Sequence, residues 1–141
     1  MVALGAGGLV ELGSGRRARL LHRLGLESSP DRSVPAAHTP LVSGTLASAH
    51  MPAPVKWMMS VPAGPLAGVV YCLHGRGADQ RFAFEHVHLP DFAAAAGDRL
   101  AFAAVEGGED AYWHHRADGR DPLTMLLTEF FPMIVSRITV R

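Results

Sequence analysis

Between residues 41 and 141 the apolar positions fall into a series of short runs whose spacing alternates between that of strands and that of helices. Leu41–Ala49 and Val55–Val61 read as two β-type runs, separated by a turn around Met51-Pro52-Ala53-Pro54, which predicts an antiparallel pair. Gly68–Leu73 is almost continuously apolar with no alternation, the pattern of a central strand covered on both faces. Leu89–Ala96 predicts a helix, with Pro90 tolerated in its first turn and Gly97 as its stop. Leu100–Val105 predicts a second buried strand. A strand, a helix and a strand make one βαβ unit, so the two strands should run parallel in a covered sheet.

After a polar, glycine-bearing loop from Glu106 to Asp121, a helix is predicted over Pro122–Val135. Asp121 is its N-cap, Pro122 fits its first turn, and Leu123, Leu126, Leu127, Phe130 and Ile134 supply its apolar side. Pro132 should kink or shorten its end. Ile138-Thr139-Val140-Arg141 reads as the first half of one more strand. Upstream, Arg16–Leu26 has the pattern of a short amphipathic helix, and Glu27–Pro40, with three prolines, that of a linker. Two regions are therefore expected: an N-terminal appendage and linker over 1–37, and an organised domain over 38–141. The fold class is α/β, with a mostly parallel sheet and an antiparallel N-terminal strand pair.

Composition narrows the partners. With 48% hydrophobic and 18% charged residues, 141 residues can bury the core of one modest domain. Thirteen basic residues balance thirteen acidic ones, so no overall field draws the chain to nucleic acid or to anionic lipid. Cys72 is the single cysteine, which excludes an intrachain disulfide, and its place in an apolar run predicts a buried, inert thiol. No run approaches the roughly 18 apolar residues of a membrane helix. Met1–Gly15 lacks a basic start and is interrupted by Glu11, so it fails as a signal peptide and a soluble, cytoplasmic protein is the default.

The candidate chemistry sits where the predicted strand Gly68–Leu73 ends, in His74-Gly75-Arg76-Gly77. Acyl transfer needs backbone N–H groups aimed at a developing oxyanion, and a tight glycine-bearing turn after a strand supplies them. Gly75 and Gly77 would let a ligand approach the backbone, with the N–H of Arg76 or of Gly77 as donor. By itself HGRG also suits an ordinary strand-end turn. Tyr112 and Trp113, with Asp118 nearby in the long polar loop, either line a ligand pocket or pin that loop by packing. Asp118-Gly119 also suits a turn.

Eight histidines raise the question of a metal, and His86 and His88 could share one face of a strand or loop. No third ligand is specified by spacing, and no metal or other cofactor is expected. Glu106-Gly107-Gly108 follows a strand without any of the spacings that cradle a nucleotide phosphate. Met58, Met59, Met125 and Met133 read as core.

Several motifs in order carry a resemblance: SGTLASAHM before Val55, YCLHGRGADQRFAF, the strand leading to VEGG, AYWHHRADGRDP and MLLTEFFP. From about Val42 to Pro132 the chain resembles the actinobacterial branch of an esterase family of α/β-hydrolases, relatives of esterase D and the mycolyltransferase antigens. The resemblance implies carboxylic ester hydrolysis, with an ester as substrate. It implies that Gly75, Arg76 and Gly77 serve the oxyanion hole and that the segment from Ala111 to Pro122 borders the site. His74, Tyr112, Trp113 and Asp118 are the candidate substrate-binding residues. Relatives of this kind are often exported.

The resemblance also implies that the helix from Thr124 leads into the strand that carries a serine, so Ile138–Val140 would begin that strand. The GxSxG elbow for such a serine occurs nowhere in the 141 residues; Ser14 stands in GSG but without the spacing. The expectation is therefore a truncated, inactive serine esterase, ending before its nucleophile, acid and histidine. The alternative is a non-catalytic pseudogene product, or a fragment that associates through a sheet edge left open.

Overall fold

A computed structural model describes residues 33–36, 39–110 and 112–139. The predicted helix over Arg16–Leu26 lies outside these residues, as do Val140 and Arg141.

Four strands form one sheet: β1 (Leu41–Leu46), β2 (Val55–Ser60), β3 (Gly68–Cys72) and β4 (Leu100–Val105), in the order β1-β2-β4-β3. β1 and β2 pair antiparallel, with Leu41 opposite Ser60 and Leu46 opposite Val55. β2 also pairs antiparallel with β4, from Trp57 opposite Val105 to Ser60 opposite Phe102. β3 and β4 run parallel, with Gly68 opposite Leu100 and Cys72 opposite Ala104. The crossover between them contains a one-turn π-helix (Phe82–His86) and α1 (Leu89–Ala95), which ends ahead of Gly97. The βαβ unit has the predicted order and sense.

The strand predicted to be covered on both faces has β4 on one side and, as expected, an open sheet edge on the other, but its residues are less buried than predicted. All five residues of β3 are only half-buried, and among the described residues its outer edge carries no strand. β4 takes an interior position, with Ala101 to Val105 all buried. Both strands are nearly all apolar, and composition cannot tell how deeply each of two parallel neighbours is buried. Cys72 is likewise half-buried, against Ala83, Phe84, Phe102 and Ala104, and burial pushes its thiol up from the ordinary range.

Alternation along the strands sends residues to two cores, one on each side of the sheet. One face carries Val55, Trp57, Met59, Ala101, Ala103 and Val105, covered by the C-terminal helical segment. The other carries Phe102 and Ala104, covered by Ala83 and Phe84 with Ala93 of α1 beside them. Helices on both faces explain why β4 shows no polar alternation in its sequence.

The C-terminal segment runs helically through α2 (Pro122–Met125), a π-helical turn (Leu126–Phe130) and α3 (Phe131–Thr139). Asp121 caps it, its carboxylate accepting from the Thr124 N–H at 3.1 Å. Met125, Phe130 and Ile134 are fully buried against the sheet, whereas Leu123 and Leu127, predicted to share the buried side, are exposed. Arg137 lies over the Trp57 ring at 4.7 Å, which ties α3 to β2.

Pro132 does not end the helix. Proline lacks an N–H and its ring collides with the carbonyl four residues earlier. The widened turn just before it, closed by the Phe131 N–H on the Leu126 carbonyl, relaxes the register there and the helix continues. As a consequence Ile138 and Thr139 are helical and do not begin a strand. Ile138 packs against the core instead. Its β-branched neighbours suggested a strand, but the amphipathic continuation of α3 outweighs that local preference.

Phe130 stands at the centre of the larger core and touches Tyr71 edge-on, with ring centroids 6.1 Å apart. Phe130→Ala is expected to lower unfolding free energy by about 3–5 kcal/mol, as read by urea titration. A loss below about 1 kcal/mol would mean that the helix does not hold this face of the sheet.

Candidate functional site

Parallel pairing puts the carboxyl ends of β3 and β4 side by side, which is where ligands bind in open α/β sheets. β3 leads into His74-Gly75-Arg76-Gly77 and β4 into Glu106-Gly107-Gly108-Glu109. The two segments are joined directly: the Gly77 N–H donates to the Glu109 carbonyl at 3.2 Å. Gly77 has φ 72°, a left-handed conformation that glycine adopts without steric cost. The turn is closed by the Ala78 N–H on the Gly75 carbonyl, at 3.2 Å.

This bonding separates the two expected donors. The Gly77 N–H is engaged by Glu109, whereas among the described residues the Arg76 N–H has no hydrogen-bond partner. Arg76 and Gly77 border an open cleft of about 530 Å³, together with Asp79, Arg81, Phe82 and Glu109. Asp79 is occupied within the turn. Its carboxylate accepts from the Arg81 guanidinium at 2.7 and 2.9 Å and from the Arg81 N–H at 2.9 Å. That pairing holds the Asp79 carboxyl below the usual carboxylate range.

His74 is placed under the turn, with its side chain only 3% exposed. Its two ring nitrogens are both used. The Gly107 N–H donates to Nε2 at 2.9 Å, and Nδ1 lies 3.0 Å from the Gly75 carbonyl. A backbone N–H can only donate, so Nε2 is the unprotonated nitrogen and Nδ1–H donates to Gly75. The His74 carbonyl in turn accepts from the Trp113 indole at 3.0 Å, and the two rings meet edge to face at 5.2 Å. His74 thus binds its own turn and the end of β4 through its ring, and the Trp113 loop through its carbonyl.

Tyr112 and Trp113 both have positive φ, 51° and 58°, an uncommon conformation for residues with side chains. Trp113 uses it to lay its ring over Gly107, where an added Cβ would stand 2.7 to 2.9 Å from three ring atoms. Of the two readings open for this aromatic pair, the placement of Trp113 is that of a pin between loops. Tyr112 is 60% exposed. Asp118 is drawn into a local turn with Arg120, accepting from its N–H at 3.1 Å and from its guanidinium at 2.7 and 2.9 Å. These bonds lower the Asp118 carboxyl to about 2. Neither Tyr112 nor Asp118 is among the residues that border the cleft.

His86 and His88 do not converge. His86 stacks on Phe82, with centroids 5.9 Å apart, while His88 takes φ 54° ahead of α1 and faces Asp91 at 3.3 Å. Glu109 and Phe82 were not singled out by sequence, and Gly107 was weighed there only against a phosphate site. A signal was present for Gly107, a glycine immediately beyond a parallel strand, but its purpose depends on a tryptophan six residues later.

Gly107→Ala should displace Trp113 and break its bond to the His74 carbonyl, at a cost of about 1–3 kcal/mol. The Trp113 indole N–H resonance reads this directly. An unshifted resonance with an unchanged unfolding midpoint would show that the ring does not depend on the absent side chain.

No protein-family model matches the chain, and the search of curated proteins finds no match. Solved structures do match. A ferulic acid esterase superposes with a TM-score of 0.57 at 21% identity, over 70% of this chain and 44% of that one. An S-formylglutathione hydrolase (FrmB) from Staphylococcus aureus gives 0.57 at 15% identity, over 70% of this chain and 41% of the other. The chain thus spans less than half the length of either enzyme. Over that shared part its mixed α/β sheet, with an antiparallel first pair and a parallel β3–β4 unit, has the fold of these two enzymes.

Proposed function

We propose that residues 38–141 form the oxyanion-binding half of a carboxylic ester hydrolase site, in an incomplete α/β-hydrolase fold. The observation that carries this reading is the Arg76 N–H, unengaged among the described residues, in a glycine-flanked turn at the cleft. When a nucleophile adds to an ester carbonyl, negative charge gathers on the carbonyl oxygen. A donor already in position stabilises it without reorganisation, and one such donor is worth about 10²–10³ in rate. Gly75 and Gly77 on either side leave the approach unobstructed. The likeness in fold to a ferulic acid esterase and an S-formylglutathione hydrolase supports an ester or thioester as the bound group.

The same reading assigns no nucleophile to these residues. None of the serines stands in GxSxG. Ser60 is fully buried in β2, and the Ser136 hydroxyl donates to the Met133 carbonyl at 2.8 Å. The Cys72 thiol, pushed up by burial, yields little thiolate at neutral pH. Ester cleavage then requires a serine hydroxyl that the 141 residues do not supply in an elbow, and alone they are inactive.

O-ethyl methylphosphonate, an anionic tetrahedral mimic of the addition intermediate, tests the half-site. It should shift the Arg76 amide resonance in wild type and in Arg76→Ala, which keeps the N–H. Arg76→Pro, which lacks it, should bind about tenfold or more weakly. Equal binding by both variants would refute the assignment. The purified chain should not turn over p-nitrophenyl esters, and turnover abolished by a serine-directed reagent would show a nucleophile overlooked in these residues.

A second reading, self-association through the sheet edge, is favoured by the half-buried outer side of β3. Leu73, just beyond the end of β3, is 50% exposed. An unpaired apolar edge is a template for another strand. Sedimentation should show mass rising with concentration, and a monomer throughout would exclude it.

A further inference from the structure

Two hydrogen bonds hold the His74 imidazole in this half-site, and a carboxylate stands beside the same ring. Nε2 accepts from the Gly107 N–H at 2.9 Å, yet the Glu106 carboxylate stands 3.7 Å from that same nitrogen. Asp79, the acid in the turn that follows, is taken up by the Arg81 guanidinium. The third element against the ring, the Trp113 loop, offers an indole edge and a bond to the His74 carbonyl. The backbone bond to Gly107 requires a lone pair on Nε2, whereas the Glu106 carboxylate, 3.7 Å from that nitrogen, can only accept, and so needs a proton on it. These demands are incompatible at one atom.

We infer that His74 is the positioning residue of the oxyanion turn: neutral and protonated on Nδ1 it fastens the turn to Gly107, and protonation of Nε2 transfers the ring to Glu106 and loosens it. The inference rests on the oxyanion reading of Arg76. A proton on Nε2 removes the acceptor for the Gly107 N–H and sets two donors face to face, while Glu106 takes the new N–H with its opposite charge. Gly107 and Trp113 are in contact and Gly77 is bonded to Glu109, so release at Gly107 is felt on both sides of Arg76. The half-site is therefore assembled while Nε2 is unprotonated and disassembled when acid protonates it.

Nitrogen-15 and amide NMR on the 141-residue chain between pH 8 and 5 test this. At pH 8 the His74 ring should show the neutral Nδ1–H signature. On acidification the amides of Arg76 and Gly107 and the Trp113 indole should move with the same midpoint as the His74 ring. Glu106→Gln, which removes the acceptor of the charged ring, should lower that shared midpoint by about 0.5 pH unit or more. His74→Asn, checked for cooperative unfolding, should lose the pH dependence at Arg76 and Trp113.

Phosphonate affinity in wild type should fall about tenfold between pH 8 and the acid side of the midpoint. The inference is overturned by a His74 ring that titrates while Gly107 and Trp113 stay still, by a ring that carries its proton on Nε2 at pH 8, or by an unmoved midpoint in Glu106→Gln. Failure of the oxyanion reading looks different: the amides co-titrate with His74, but the phosphonate leaves Arg76 unshifted at pH 8.

Discussion

Parallel pairing of β3 with β4 is the constraint from which the rest of the structure follows. It sets the carboxyl ends of two apolar strands next to each other, so the polypeptide leaving each must turn away within a few residues of the other. The HGRG turn and the Glu106–Glu109 segment are thereby forced into contact. Two backbone groups that would otherwise be hydrated, the N–H groups of Gly77 and Gly107, find partners there. A buried polar group without a partner would cost about 1–3 kcal/mol, so the match between these loops is itself a source of order.

The pairing is supported from both sides. The larger core presses the C-terminal helix onto one face through Met125, Phe130 and Ile134, and Tyr71 of β3 stacks on Phe131 with centroids 3.9 Å apart. Ala83 and Phe84 cover the opposite face. The strand that carries the site nevertheless lies at an edge of the sheet and, among the described residues, is fastened along one side only. This makes the contacts of His74 and Trp113 more consequential than they would be on an interior strand. They are the described restraints on the strand's far end, where regular pairing has stopped.

Within the site, burial and exposure divide the work between neighbouring residues. His74 is hidden and acts through hydrogen bonds, while Arg76, two residues on, is exposed at the cleft. Asp79 and Arg81 satisfy each other, as do Asp118 and Arg120, so these charges shape loops. An exposed ion pair of this sort contributes little to stability, but it sets the direction of the chain on either side.

Much of the fold was legible in the sequence because it depends on local chemistry. The alternation and apolar runs of β1 to β4, the Asp121 cap before Pro122 and the stop at Gly97 are each decided by residues within a few positions. HGRG was legible for the same reason, since glycines after an apolar strand mark a turn where the backbone is accessible. Tertiary structure alone decided how deeply each parallel strand is buried, because β3 and β4 are equally apolar and only their neighbours differ. It carried the C-terminal helix past Pro132 and through Ile138, where core packing outweighed a β-type composition. It also chose between the Arg76 and Gly77 amides and turned His74 inward, since a donor's freedom and a histidine's tautomer depend on groups more than thirty positions away in the chain, which no local pattern can specify.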